Sequence, residues 1–148
     1  VQMRCSLGQR WQHNNTCQGS GMYTWQAALG KARGYFYAGH SNWRMPTIQE
    51  LNTLIYCSNG KLRSFSKEGY DTVSKEVFSG CGSDTRGAYQ KPTIFQTVFP
   101  NTPRRWFWSA SSHTDNSDDA WVVNFDYGGD SVFNRTGDSW VRLVRSGQ

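Results

Sequence analysis

The chain of 148 residues is long enough for one domain with a real core, and it holds no apolar run that could span a bilayer. Seven Trp, seven Tyr and eight Phe stand beside fifteen Gly, which excludes a helical bundle and describes a loop-rich globular fold with a few large anchors. The net charge of +5 is unevenly placed, with thirteen Lys or Arg against five acids up to His113 and three against six from Thr114 onward.

A basic body of this kind attracts sulfated glycans, anionic surfaces or nucleic acid, and an acidic end repels them. The N-terminus is no signal peptide, so residues 1–148 are expected to be a mature or excised domain. Any membrane association would then run through an anchor outside this stretch.

Cys5, Cys17, Cys57 and Cys81 form an even set without the short C-x₂₋₄-C knuckles of a zinc site. Two disulfides in an oxidising compartment follow. Sequence order suggests Cys5–Cys17 around an N-terminal hairpin and Cys57–Cys81 across a polar excursion, although four Cys allow three pairings.

In chain order, residues 1–4 and 9–12 read as strands, the second followed by a turn over 13–16. Asn14 and Asn134 open formal glycosylation sequons, which in a bacterial protein are ordinary turn residues. Thr24 is an N-cap for a helix whose Trp25, Ala28, Leu29 and Ala32 share one face, with Gly34 as its stop. Residues 35–39 form an aromatic linker expected to pack under a sheet. Thr47 and Glu50 make a capping box ahead of Leu51, Leu54 and Ile55, with Pro46 sharpening the boundary. That position gives Glu50 a structural task and removes it as a catalytic candidate.

Residues 57–91 read as a long surface excursion, with a short helix near 71–78. Ile94, Phe95, Val98 and Phe99 are apolar enough to dock on the core, and Pro100 and Pro103 bracket a turn into Arg104 and Arg105. Strands are expected at 106–110, 120–125 and 140–144 from their apolar alternation. Between these strands lie two segments rich in Asn, Asp, Ser, Thr and Gly. They are too polar for a core and too varied for a linker, and polar loops on a rigid sheet are where recognition is usually placed.

The series Cys5…Gly8-Gln9…Trp11…Cys17, Thr24-Trp25-x-x-Ala28, Trp43-Arg44-Met45-Pro46-Thr47-x-x-Glu50-Leu51, Trp108-Ser109 and Val141-Arg142-Leu143-Val144-Arg145 resembles the Lcl C-terminal domain family. That family is named for the end domain of a bacterial collagen-like surface adhesin. The resemblance implies an α+β, C-type-lectin-like fold with two helices and a small, mostly antiparallel sheet. It also implies N- and C-terminal strands paired at the base, a place outside the cell or on the bacterial envelope, and a ligand-binding role. Sulfated glycosaminoglycan binding is known for the adhesin member. No collagen-like or trimerising segment is present here, so that member's avidity does not carry over.

The ending, Ala120-Trp121-Val122-Val123-Asn124-Phe125 followed by a polar run and Val141 to Gln148, also resembles the variable proteins of diversity-generating retroelements. These use lectin-like folds and mutate adenines in Asn-type codons. The residues from Asp126 to Ser139 draw largely on the alphabet such mutation produces, as any polar hairpin also can.

Enzyme classes find little support. His13, His40 and His113 stand beside no Ser or Cys in a nucleophile motif. Glu68, Asp71 and Glu76 follow no glycosidase spacing. No cofactor is expected; calcium is the one alternative, through Asp115, Asn116, Asp118 and Asp119, but the run lacks a calcium-loop pattern. Nucleic acid is not an expected partner of a disulfide-bonded chain whose aromatics sit at core-like positions.

What remains is a non-enzymatic recognition domain that binds a cell-surface glycan or protein through a face spanning 106–140. Its expected contacts are Arg104, Arg105, Trp106, His113, Asp115, Asn116, Asp126, Tyr127, Asp130, Ser131, Phe133, Asn134, Arg135, Asp138 and Trp140. Aromatic anchors among Ser, Gly and Asn form the alphabet of antibody paratopes, and Arg104 with Arg105 suits a sulfate or carboxylate. The alternatives are a sulfated glycosaminoglycan on the basic body, and an assembly domain with no ligand at this face.

Overall fold

The computed structural model describes residues 2–60, 80–81, 88–112 and 118–146. The expected excursion helix near 71–78, and Glu68, Asp71 and Glu76, lie outside the described residues. The elements run β1 (Gln9–Trp11), β2 (Cys17–Gly19), α1 (Trp25–Ala32), β3 (Trp43–Arg44), α2 (Ile48–Asn52), β4 (Trp106–Ser112), β5 (Asp119–Asn124), β6 (Gly129–Asn134) and β7 (Val144–Arg145). The architecture is α+β.

Both helices start where local chemistry dictates. Thr24 keeps an extended backbone and its hydroxyl accepts from the Ala27 amide at 3.3 Å, so α1 opens with an orphan donor satisfied. Its Trp25, Ala28 and Ala32 are buried, and Gly34 follows at φ 75°. In α2 the capping box is complete: the Glu50 amide donates to Thr47 Oγ1 at 3.2 Å and the Thr47 amide to Glu50 Oε1 at 2.9 Å. Arg44 from β3 closes on the same carboxylate with both terminal nitrogens, at 2.6 and 2.8 Å. That bidentate grip, more than any other contact, holds the Glu50 carboxyl down at about 2.

β4, β5 and β6 form an antiparallel sheet in that order. Successive residues of a strand point to opposite faces, and here both faces are covered. Trp108, Ala120 and Val122 join Trp25, Ala28, Met45 and Leu143 in one core. Phe107, Trp121, Val123 and Phe125 join Ile48, Leu51 and Ile94 in the other. β5 is therefore apolar without interruption from Ala120 to Val123, because it is the central strand between α1 and α2.

The chain ends meet at the base. Gln2 bridges Val144, and the Met3 and Leu7 amides donate to the carbonyls of Leu143 and Val141 at 3.3 and 2.8 Å. β3 pairs with β7 in register Trp43↔Arg145. Arg142 is fully buried there. Its guanidinium donates to the Met3 and Arg4 carbonyls at 2.7 and 3.2 Å and to Thr102 Oγ1 at 2.9 Å, and lies 4.8 Å over the Phe99 ring. Burial pulls it down to about 9, still charged at neutral pH. Cys5–Cys17 and Cys57–Cys81 are both bonded.

Four expectations need correction. The second polar segment contains a strand, β6, whose residues are polar because it lies at the sheet edge. The expected strand 140–144 is divided: Trp140 bridges Phe107, Val141 and Leu143 pair with the N-terminal segment, and only Val144–Arg145 forms a ladder with β3. The linker 35–39 does not pack under the sheet as a unit, since Phe36 is 72% and Tyr37 40% exposed. Of the 92–99 segment, Ile94 is buried and Phe99 packs on the core, but Phe95 and Val98 face solvent.

Candidate ligand-binding surface

The β5–β6 hairpin sorts most of the expected contacts. Residues 125–128 close it, with the Gly128 amide donating to the Asn124 carbonyl at 2.8 Å and Gly128 at φ 82°. Thr93, Cys81 and Ile55 crowd the space a side chain there would fill, so this turn requires glycine. From Gly129 to Asn134 the strand rises roughly 17 Å. The expected contacts therefore fall into two groups toward opposite ends of the sheet.

At the turn end the side chains are already engaged. Arg104 Nε donates to Asp126 Oδ1 at 2.7 Å, and Lys91 Nζ lies 3.7 Å from Asp126 Oδ2. Trp106 meets Tyr127 edge to face at 6.1 Å between centroids. Burial, then the charges of Asp130 and Asp126, push the Tyr127 hydroxyl up. Arg104 is thus held by an acid of its own chain, whereas exposed Arg105 has no ion-pair partner among the described residues.

At the open end, β6 pairs Asp119↔Asn134 and Ala120↔Phe133. The Phe133 ring, 36% exposed, rests 5.7 Å from Trp108 and covers Gly137. Arg135 lies 4.1 Å over the Trp25 ring and donates to the Asp119 carbonyl at 3.3 Å. Asn134 Oδ1 accepts from the Thr136 amide at 3.0 Å and its hydroxyl at 2.6 Å, which fixes the turn. Asn134, Thr136 and Asp138 are exposed.

Three expected contacts belong to the frame. Asp130 is 2% exposed and accepts from Asn52 Nδ2 at 3.2 Å. Trp140 is 8% exposed and stacks on Phe107 at 6.3 Å. Ser131 is half-buried opposite Val122. His113, Asp115 and Asn116 lie outside the described residues.

A feature the sequence did not announce is a cleft of about 320 Å³ bordered by Arg4, Trp11, Tyr37, His40, Trp43 and Arg145. These residues come from separated segments and share no motif, so only the repetition of Arg with Trp hinted at them.

Two disulfides beside a sheet buried on both faces, with polar and aromatic side chains exposed at its open end, fit an extracellular domain. The family model for the Lcl C-terminal domain matches residues 5–145, and the chain belongs to that family. It is a family of adhesin-type domains, not of known enzymes. No curated protein and no solved structure matches the chain. No helix among the described residues is long and apolar enough to cross a membrane.

Proposed function

We propose that this adhesin-type domain recognises a cell-surface glycan or protein, without a chemical step, through the open end of the β5–β6 hairpin. Phe133 supplies the aromatic contact, and Asn134, Thr136 and Asp138 supply polar ones. The observation that carries this reading is that these side chains are exposed while their backbone is held by the β5 register, the Trp25–Arg135 stack and the Asn134–Thr136 turn. A preorganised rim loses little entropy on binding.

The C-type-lectin-like fold is part of the same proposal. Paired chain ends, two helices on opposite faces of a small sheet and recognition residues far along the chain all agree with it. Diversification by a retroelement would act on the exposed subset, Phe133, Asn134, Thr136 and Asp138. Gly128, Asp130 and Ser139 are buried in the frame and would stay constant.

The test is a glycan and protein array probed with the wild type and with a Phe133→Ala/Asn134→Ala/Asp138→Ala variant. The variant should fold and lose the hits of the wild type. Retention of every hit places recognition elsewhere. A second reading, a sulfated glycosaminoglycan on the basic body, has exposed Arg105 in its favour. It predicts heparin retention that falls with salt and with Arg105→Ala.

A further inference from the structure

The cleft at the base is cationic and aromatic, and among the described residues no acidic one lines it. The Arg4 guanidinium lies 4.7 Å from the centroid of Trp11, and that of Arg145 lies 5.8 Å from Trp43. A guanidinium laid over an indole keeps its donors at its rim and gives up rotamer freedom before a ligand arrives. Arg4 therefore offers a carboxylate donors that are already oriented, and Arg145 adds a second positive charge on the same cleft. Among the described residues no carboxylate pairs with exposed Arg4.

The wall beside Arg145 is rigid. Trp43 Nε1 donates to the Tyr37 carbonyl at 3.0 Å, and the two rings meet edge to face at 6.0 Å. Tyr37 and His40 exchange backbone hydrogen bonds at 2.9 and 3.0 Å around Ala38 and Gly39, at φ 53° and 81°. Positive φ at both central residues marks the tight hairpin turn of the primed type. Ala38 borders the cleft, and an alanine there is strained where glycine would not be. Backbone strain held by its surroundings concentrates at binding sites.

We propose that this cleft binds a small carboxylate carried on a six-membered ring. Arg4 and Arg145 take the carboxylate, and the ring lies against Trp43 and Tyr37. The volume is at the lower end of small-molecule sites, about 300–1,000 Å³, which limits the occupant to one ring with its substituents. Aromatic carboxylates and acidic pyranoses share this chemistry. The site uses no residue of the 106–140 region, so it stands or falls apart from the rim.

Titration of the domain with sodium benzoate, sodium glucuronate and their neutral counterparts benzamide and glucose tests this, read on the indole N–H resonances of Trp11 and Trp43. At least one carboxylate should shift both resonances saturably while its neutral counterpart does not. Benzoate identifies an aromatic source and glucuronate a sugar source. Arg4→Gln, an exposed substitution, should weaken binding at least tenfold, Arg145→Gln on a separate segment should also weaken it, and Arg105→Gln should leave it unchanged. Indoles that respond to neither carboxylate, equal response to the neutral compounds, or wild-type affinity in both cleft variants would overturn the proposal.

Discussion

The two ends of the β5–β6 hairpin carry similar residues to different ends. At the turn, Arg104, Asp126, Lys91, Trp106 and Tyr127 satisfy one another. At the open end, Phe133, Asn134, Thr136 and Asp138 project from a backbone that neighbouring groups hold in place. Charge and aromatic content do not separate frame from surface here. What separates them is how much of each side chain its neighbours leave exposed.

The largest effect expected from breaking this contrast lies between the ends. Trp121→Ala removes a 1%-exposed side chain from the central strand and should cost about 3–5 kcal/mol in denaturant unfolding. Both ends should then loosen together. Arg142→Met leaves the Met3 and Arg4 carbonyls and the Thr102 hydroxyl without their donor. A loss of about 2–3 kcal/mol is expected at the base. Asp126→Asn releases Arg104 at the turn end, where the pair is partly exposed, and should cost about 1 kcal/mol or less.

The Glu50 carboxyl gives a pH-dependent counterpart. Its folded value of about 2 lies below the 4.5 of an ordinary glutamate carboxyl, so the stability it contributes is complete above about 4.5 and is lost as pH falls toward 2. Both partners are about 40% exposed (41% and 38%), and solvent screening holds the expected loss to about 1 kcal/mol. Unfolding midpoints of the wild type and Glu50→Gln at pH 7 and 2.5 should show a smaller pH dependence in the variant.

Much of the frame was legible because its signals are local. Thr24, and Thr47 with Glu50, announce helix starts within four residues of chain, and the disulfides followed sequence order. The missed features depend on distant partners. β6 is polar in sequence because it is an edge strand, so composition alone read it as loop. Residues 140–144 look like one strand, yet they pair with β4, the N-terminal segment and β3 in turn. Asp130 and Trp140 resemble their exposed neighbours in type, and only burial against Asn52 and Phe107 assigns them to the frame. The cleft at the base was illegible for the same reason, since its walls meet only after folding.

The most direct measurement compares the two ends in one binding assay. Phe133→Ala/Asn134→Ala/Asp138→Ala at the open end and Arg104→Ala/Asp126→Ala at the turn are each scored against the cell-surface targets that the wild type binds. The open-end variant should lose at least tenfold in affinity with only a small change in melting temperature, and the turn-end variant should bind as the wild type does. Loss of binding in the turn-end variant alone, with the open-end variant unaffected, would contradict the account.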